Sequence, residues 1–83
     1  MLNVFDFIDY KIHRDDEVSL IYKNEDNREK EEINKLHCYI EFCKGDCDVC
    51  CWLQNDEDEK ATPMVINKQE LKAIQKQVEE LGW

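Results

Sequence analysis

The sequence predicts an α+β fold, a small antiparallel sheet packed against two helices, from three observations. Residues 18–23 place bulky apolar side chains at every second position between two acidic turns, as a strand does. Residues 68–81 carry apolar side chains at helical spacing, and residues 28–35 are rich in helix formers. The chain has 83 residues and no internal repeat or linker, so it forms one domain, residues 1–83.

The opening segment, residues 4–12, fits two structures. Phe5 and Ile8 are spaced as in a helix, whereas Tyr10 suits a strand that forms a hairpin with residues 18–23. Because aromatic and β-branched residues dominate this segment, we favour the hairpin.

Residues 27–42 are predicted to form the first helix. Asp26 and Glu29 have the spacing of an N-terminal capping box, and Gly45 follows as a stop signal. Residues 36–43 also alternate as in a strand, and that interpretation stays open.

Three shorter segments lie between this region and the last helix. Residues 49–53 are apolar, and residues 54–60 form an exposed acidic loop. The apolar residues 64–66, which follow Pro63, indicate a short strand.

Residues 68–81 are the clearest helix in the sequence. Asn67 and Glu70 match a capping box, and Gly82 supplies a left-handed stop after which Trp83 folds back. The apolar stripe can face the chain's own core or a second subunit, so a homodimer stays open. This stripe consists of Leu71, Ile74, Val78 and Leu81.

The composition excludes several kinds of catalytic site. With two glycines, one serine and one threonine, the chain has neither a Gly-rich phosphate loop nor a strained serine elbow. Ser19 is predicted to be a strand residue, and His13 lies in a charged turn. His37 and Cys38 are adjacent and therefore point apart, so they form no nucleophile–base pair. We therefore expect a protein that is not an enzyme.

The chain is predicted to lie in a reducing compartment. The first ten residues have no basic leader, and no apolar run reaches the ~18–20 residues that cross a bilayer, so we expect a cytoplasmic protein. Thiols stay reduced there, and five cysteines then suggest metal binding or burial in the core. Zinc would be held by Cys43, Cys47, Cys50 and either Cys38 or His37.

A redox role for the Cys47–Cys50 pair is disfavoured. Asp46 and Asp48 beside it raise a thiol pKa, because like charge opposes thiolate formation. A thiol-dependent enzyme is therefore the weakest of the hypotheses.

Net charge is the main indication of function. Twenty acidic residues against eleven basic ones give a formal charge of −9, which repels nucleic acid and anionic membranes and attracts basic partners. We expect a larger basic protein as partner, of the nucleic-acid-binding or nuclease type. The predicted partner-binding residues are Asp15, Asp16, Glu17, Glu25, Asp26, Asp56, Glu57, Asp58 and Glu59.

In size and charge, with these acidic clusters, the chain resembles small phage-encoded inhibitors of the anti-CRISPR or DNA-mimic type. The resemblance implies a stoichiometric inhibitor that blocks a nucleic-acid-binding surface without turnover. The alternative is a zinc-stabilised adaptor that docks on a partner protein through an apolar patch, with Trp52 and Trp83 as anchors.

Overall fold

The computed structural model describes residue 5 and residues 8–24, 36–55 and 61–83. Five strands form one sheet in the order β1-β2-β3-β4-β5, and each strand is antiparallel to its neighbour in sequence. One described helix follows the sheet, so the α+β class is confirmed. The elements are β1 (Tyr10–Asp15), β2 (Ser19–Asn24), β3 (Leu36–Cys43), β4 (Asp48–Asn55), β5 (Ala61–Thr62) and α1 (Lys68–Glu80).

The hairpin favoured for the opening segment, residues 4–12, is present as β1 and β2 for residues 10–12, whereas Phe5, Ile8 and Asp9 lie outside the strand. Its first strand begins at Tyr10, and Ile12 pairs with Tyr22. His13 is the extra residue of a bulge, because Ile12 and Arg14 oppose successive residues of β2.

The alternation of side chains along each strand gives the sheet two faces. The helix face packs against α1 and holds the apolar core, and the opposite face carries the remaining side chains. The core residues are Phe5, Tyr10, Leu20, Tyr22, Cys38, Ile40, Phe42, Leu53, Ala73 and Ile74.

Helix α1 crosses the helix face obliquely. Its first turn lies at the start of β1, where the hydroxyl of Tyr10 donates a hydrogen bond to Glu70. Beyond its last turn, the ring of Trp83 lies 6.2 Å from that of Phe42, near the end of β3. The helix therefore connects the two ends of the sheet.

The predicted caps of α1 are confirmed. Asn67 accepts from the backbone of Glu70 at 2.7 Å and donates its own backbone N–H to that carboxylate at 3.0 Å. Gly82 has φ 78°, and the backbone of Trp83 turns back to donate to the carbonyl of Val78 at 3.2 Å. Both ends of the helix are thus determined by local sequence.

The predicted helix over residues 27–42 is wrong for residues 36–42, which belong to β3; residues 27–35 lie outside the described residues. In β3, Cys38, Ile40 and Phe42 alternate toward the core, and the strand pairs with a neighbour on each side. Two flanking strands therefore override the helical propensity of this segment.

Two smaller predictions also need correction. Residues 64–66 form no strand; the short strand is β5, which precedes Pro63. Val65 is 85 % exposed. Leu71, predicted on the buried stripe, is 49 % exposed, because the helix is rotated so that Ala73 and Ile74 face the core.

The turn between β3 and β4 bends at an unexpected residue. Cys47 has φ 58°, in the left-handed region, whereas Gly45 does not. A cysteine in this conformation is strained by contacts of its Cβ with the backbone. The described part of the chain has no helix of the length and apolar character needed to cross a membrane.

Candidate functional site

The most distinctive charged feature is at one end of the sheet, where the β1–β2 and β3–β4 turns lie side by side. We call its carboxylates the acidic tip. All of them are exposed. Among the described residues, the ion pairs at this end of the sheet come from Arg14 and Lys44. The acidic tip consists of Asp15, Asp16, Glu17, Asp46 and Asp48.

Asp16 organises the β1–β2 turn. Its Oδ1 accepts from the backbone N–H groups of Val18 and Ser19 at 2.9 and 2.8 Å, and its Oδ2 accepts from Arg14 at 2.5 Å. These bonds, the backbone of Ser19 first, lower the pKa of Asp16 to about 2. The carboxylate is therefore charged throughout the physiological pH range.

Lys44 joins the two turns. Its Nζ lies 3.0 Å from Asp15 Oδ1 and 2.6 Å from the carbonyl of Asp16, and its backbone N–H donates to Val18 at 2.9 Å. The two hairpin ends are thereby fixed relative to one another, and the carboxylates of Asp15 and Asp16 are held by hydrogen bonds.

The other predicted partner-binding residues, Glu25, Asp26 and 56–59, lie outside the described residues. The chain leaves the sheet toward them at Asn24 and Asn55, at the end opposite the acidic tip.

Sequence reasoning missed Asp46 and Asp48 as members of the acidic cluster. In the sequence alone they are only neighbours of a thiol, because their proximity to residues 15–17 depends on the pairing of β2 with β3. The sequence does give one indication of their position, because both follow residues 36–43, which alternate as in a strand that ends at a turn.

The five cysteines divide between the two faces. Cys38 is fully buried in the core on the helix face, and Cys51 is half-buried on the same face. Cys43 and Cys50 lie on the opposite face, while Cys47 is exposed in the turn. Of the predicted zinc ligands, the structure therefore brings together Cys43 and Cys50 but places Cys38 on the other side of the sheet.

Glu41 joins Cys43 and Cys50. The ligand atoms of these three residues lie within 4.8 Å of one another, and this is the one such group among the described residues. Glu41 is directly opposite Cys50 and two residues before Cys43, so the β3–β4 register creates the cluster. His37, the other predicted ligand, has its Nδ1 3.1 Å from the carbonyl of Asn24 instead.

The thiol of Cys43 is poorly suited to act as a nucleophile. Desolvation, followed by the charge of Glu41, raises its pKa to about 11. Desolvation and Glu70 raise the pKa of Cys51 to about 11 as well. Both are therefore almost entirely protonated near neutral pH, which opposes thiol catalysis.

The two tryptophans are engaged in packing. Trp52 stacks on Tyr39 with ring centroids 5.4 Å apart and donates from Nε1 to Gln54 at 2.9 Å. Trp83 packs on the core beside Phe42. Each is half-buried, which limits the area that either can offer a partner as an anchor.

A buried carboxyl group was not expected. Glu70 is 1 % exposed, and it accepts from Tyr10 as well as capping α1. Burial, then the bond to Glu70, raises the pKa of Tyr10 far above its ordinary value. Helix-capping spacing predicted the role of Glu70 at the helix end, but its burial depends on how α1 docks.

The chain matches no protein-family model, no curated protein and no solved structure.

Proposed function

We propose that this chain is a non-enzymatic binding protein, a stoichiometric inhibitor that blocks the basic nucleic-acid-binding surface of a larger protein. The acidic tip is the observation that carries the proposal, since it joins five exposed carboxylates in two adjacent turns and the strand ends that flank them. Duplex DNA presents about one negative charge per 1.7 Å of axis, so a groove built for it attracts dense carboxylates.

The arrangement of the tip supports specific recognition. Lys44 holds the two turns together, and Asp16 is kept charged by its hydrogen bonds. Because the carboxylates of Asp15 and Asp16 already have hydrogen-bond partners, these two side chains lose less conformational entropy when a partner binds them. Complementary charge would also accelerate association.

The nature of the opposing surface follows from the low density of cations at the tip. Arg14 and Lys44 are committed to the tip's own carboxylates and carbonyl groups. An incoming partner would therefore have to supply Arg and Lys side chains, as phosphate-binding grooves do. This role agrees with the resemblance to phage-encoded inhibitors.

A capture experiment tests the proposal. The chain is immobilised and exposed to a bacterial lysate from which nucleic acid has been removed by nuclease. We expect it to retain a nucleic-acid-binding protein that is released both by salt and by added duplex DNA. Retention that is unaffected by salt and by DNA would contradict the proposal.

Charge reversal at the tip provides the matched variant. The double variant Glu17→Lys/Asp46→Lys should weaken binding of the captured partner by about tenfold or more, measured by titration at physiological salt. The control, Glu79→Lys/Glu80→Lys on α1, changes net charge equally but leaves the tip intact. Equal losses in both variants would mean that net charge alone, and not the tip, drives binding.

A second candidate is an adaptor that docks through an apolar patch. Val65, Ile66 and Leu71 are exposed around the start of α1, at 85 %, 40 % and 49 %. The substitutions Val65→Ser and Leu71→Gln should abolish partner binding in this case, and binding should then persist at high salt.

A further inference from the structure

We propose that Glu41, Cys43 and Cys50 form a zinc site on the opposite face of the sheet, with two thiolates, one carboxylate and a water molecule as ligands. This goes beyond the inhibitor function and does not depend on it. It also differs from a knuckle site built on Cys47 and Cys50, because it crosses two strands and uses a carboxylate.

The distances fit a metal ion. Ligand atoms of a tetrahedral zinc site lie about 3.5 to 3.8 Å apart, given Zn–S and Zn–O bonds of about 2.3 and 2.0 Å. The three donor atoms here lie within 4.8 Å of one another, so small side-chain rotations bring them into range. The backbone need not move, because β3–β4 pairing already sets the positions of all three residues.

The register favours a metal over a disulfide. Cys43 pairs with Asp48, so Cys50 is its diagonal neighbour and not its direct partner. Diagonal neighbours have Cα atoms about 7 to 8 Å apart, whereas a disulfide needs about 4.4 to 6.8 Å. A metal ion lies between the two sulfur atoms and is bonded to each, so it can bridge the longer separation of Cys43 and Cys50.

The chemistry of the donor set selects the ion. Two thiolates favour a borderline-soft cation such as Zn²⁺ over Mg²⁺ or Ca²⁺, which prefer oxygen. Three protein ligands leave a fourth position for water, as in open zinc sites. The neighbouring Asp48 adds negative charge that attracts a cation.

Zinc binding at this site releases protons from the two thiols. Zn²⁺ replaces one proton on each of Cys43 and Cys50, forms two Zn–S bonds and one Zn–O bond to Glu41, and releases two protons to solvent. Since protons compete with the metal, zinc affinity should rise with pH.

Titration of the reduced, metal-free full chain with Co²⁺, followed by displacement with Zn²⁺, tests the site. We expect one equivalent of Co²⁺ and a thiolate-to-cobalt charge-transfer absorption that zinc removes. Cys43→Ser/Cys50→Ser should abolish this absorption, while Cys47→Ser should retain it. Glu41→Gln should weaken zinc binding by at least about tenfold, since even loss of a second-shell partner costs about 10- to 100-fold.

Protection of the wild-type thiols gives a second measurement that does not depend on variants folding. Saturating Zn²⁺ should protect Cys43 and Cys50 from alkylation, as mapped by mass spectrometry, and leave Cys47 reactive. No charge-transfer absorption in the wild type would overturn the site. So would protection of Cys47, or loss of binding in Cys47→Ser, because either result would assign the metal to the turn.

Discussion

Two tyrosine hydroxyls connect the sheet to the helix through buried polar partners. Tyr10 donates to Glu70, and Tyr22 donates to Gln77 Oε1 at 2.8 Å. Both hydroxyls lie in an apolar core, where a polar group that loses its partner is costly. These bonds therefore determine how α1 docks, in addition to the apolar contacts around them.

Replacement of Tyr10 by Phe removes a donor to a buried carboxyl group. We expect Tyr10→Phe to lower the free energy of unfolding by about 1 to 3 kcal/mol, measured by urea denaturation. Tyr22→Phe is the matched variant. Because Tyr22 donates to an uncharged amide, Tyr22→Phe should lower the free energy of unfolding by less. A Tyr10→Phe protein as stable as the wild type would show that the hydrogen bond from Tyr10 to Glu70 does not contribute to stability.

A second prediction concerns Cys47, in the strained turn between β3 and β4. Glycine adopts a positive φ without the Cβ contacts that cysteine suffers, so Cys47→Gly should stabilise the chain by about 0.5 to 1 kcal/mol. Cys47→Ala retains the Cβ and serves as the control, with little change expected. Thermal unfolding of both variants measures the difference, and a Cys47→Gly protein no more stable than Cys47→Ala would contradict it.

At the scale of single elements, the ends of α1 are the best-defined part of the molecule. Asn67 caps the first turn, so Asn67→Ala should destabilise the chain by about 1 kcal/mol. Asn67→Ser is the control, because serine also accepts a backbone hydrogen bond and should recover most of the loss. Urea denaturation monitored by circular dichroism distinguishes them, and equal losses in both would argue against capping as the cause.

Local signals predicted some elements and not others. The caps of α1 and the β1–β2 hairpin depend on residues close in sequence, and both were correctly anticipated. Residues 36–42 fit helical and strand periodicities equally, and only pairing with β2 and β4 decides between them. That information is not local, which is why the helix prediction there was wrong.

At the scale of the whole molecule, the candidate sites depend on strand register. The acidic character of residues 15–17 was visible in sequence, as was the cysteine cluster. Their neighbours were not: Asp46 joins the tip and Glu41 joins the cysteines only because β3 pairs with β2 and β4. The residue types in the sequence thus indicated an acidic surface and a cysteine cluster. The pairing of the strands determines which residues belong to each.

The division of thiols between two faces predicts an order of alkylation in the metal-free chain. Cys47 and Cys50, which are exposed, should react first. Cys43 and Cys51 should follow, because a pKa of about 11 reduces their thiolate fraction roughly a hundredfold. Cys38, fully buried, should react only on unfolding.

Time-resolved alkylation with mass spectrometry measures this order, and its pH dependence supplies the check. The rate at Cys43 should keep rising as pH approaches 11, since deprotonation is what limits it. Rapid labelling of Cys43 near neutral pH would contradict its raised pKa, and early labelling of Cys38 would contradict its place in the core.

The meander order of the sheet also has a kinetic consequence. Every strand pairs with its neighbour in sequence, so each hairpin closes over at most 11 residues and loses little chain entropy. Docking of α1 is different, because the Tyr10–Glu70 contact joins residues 60 positions apart. We expect the hairpins to supply the early folding nucleus and the helix to dock late, so that weakening the Tyr10–Glu70 contact accelerates unfolding far more than it slows folding.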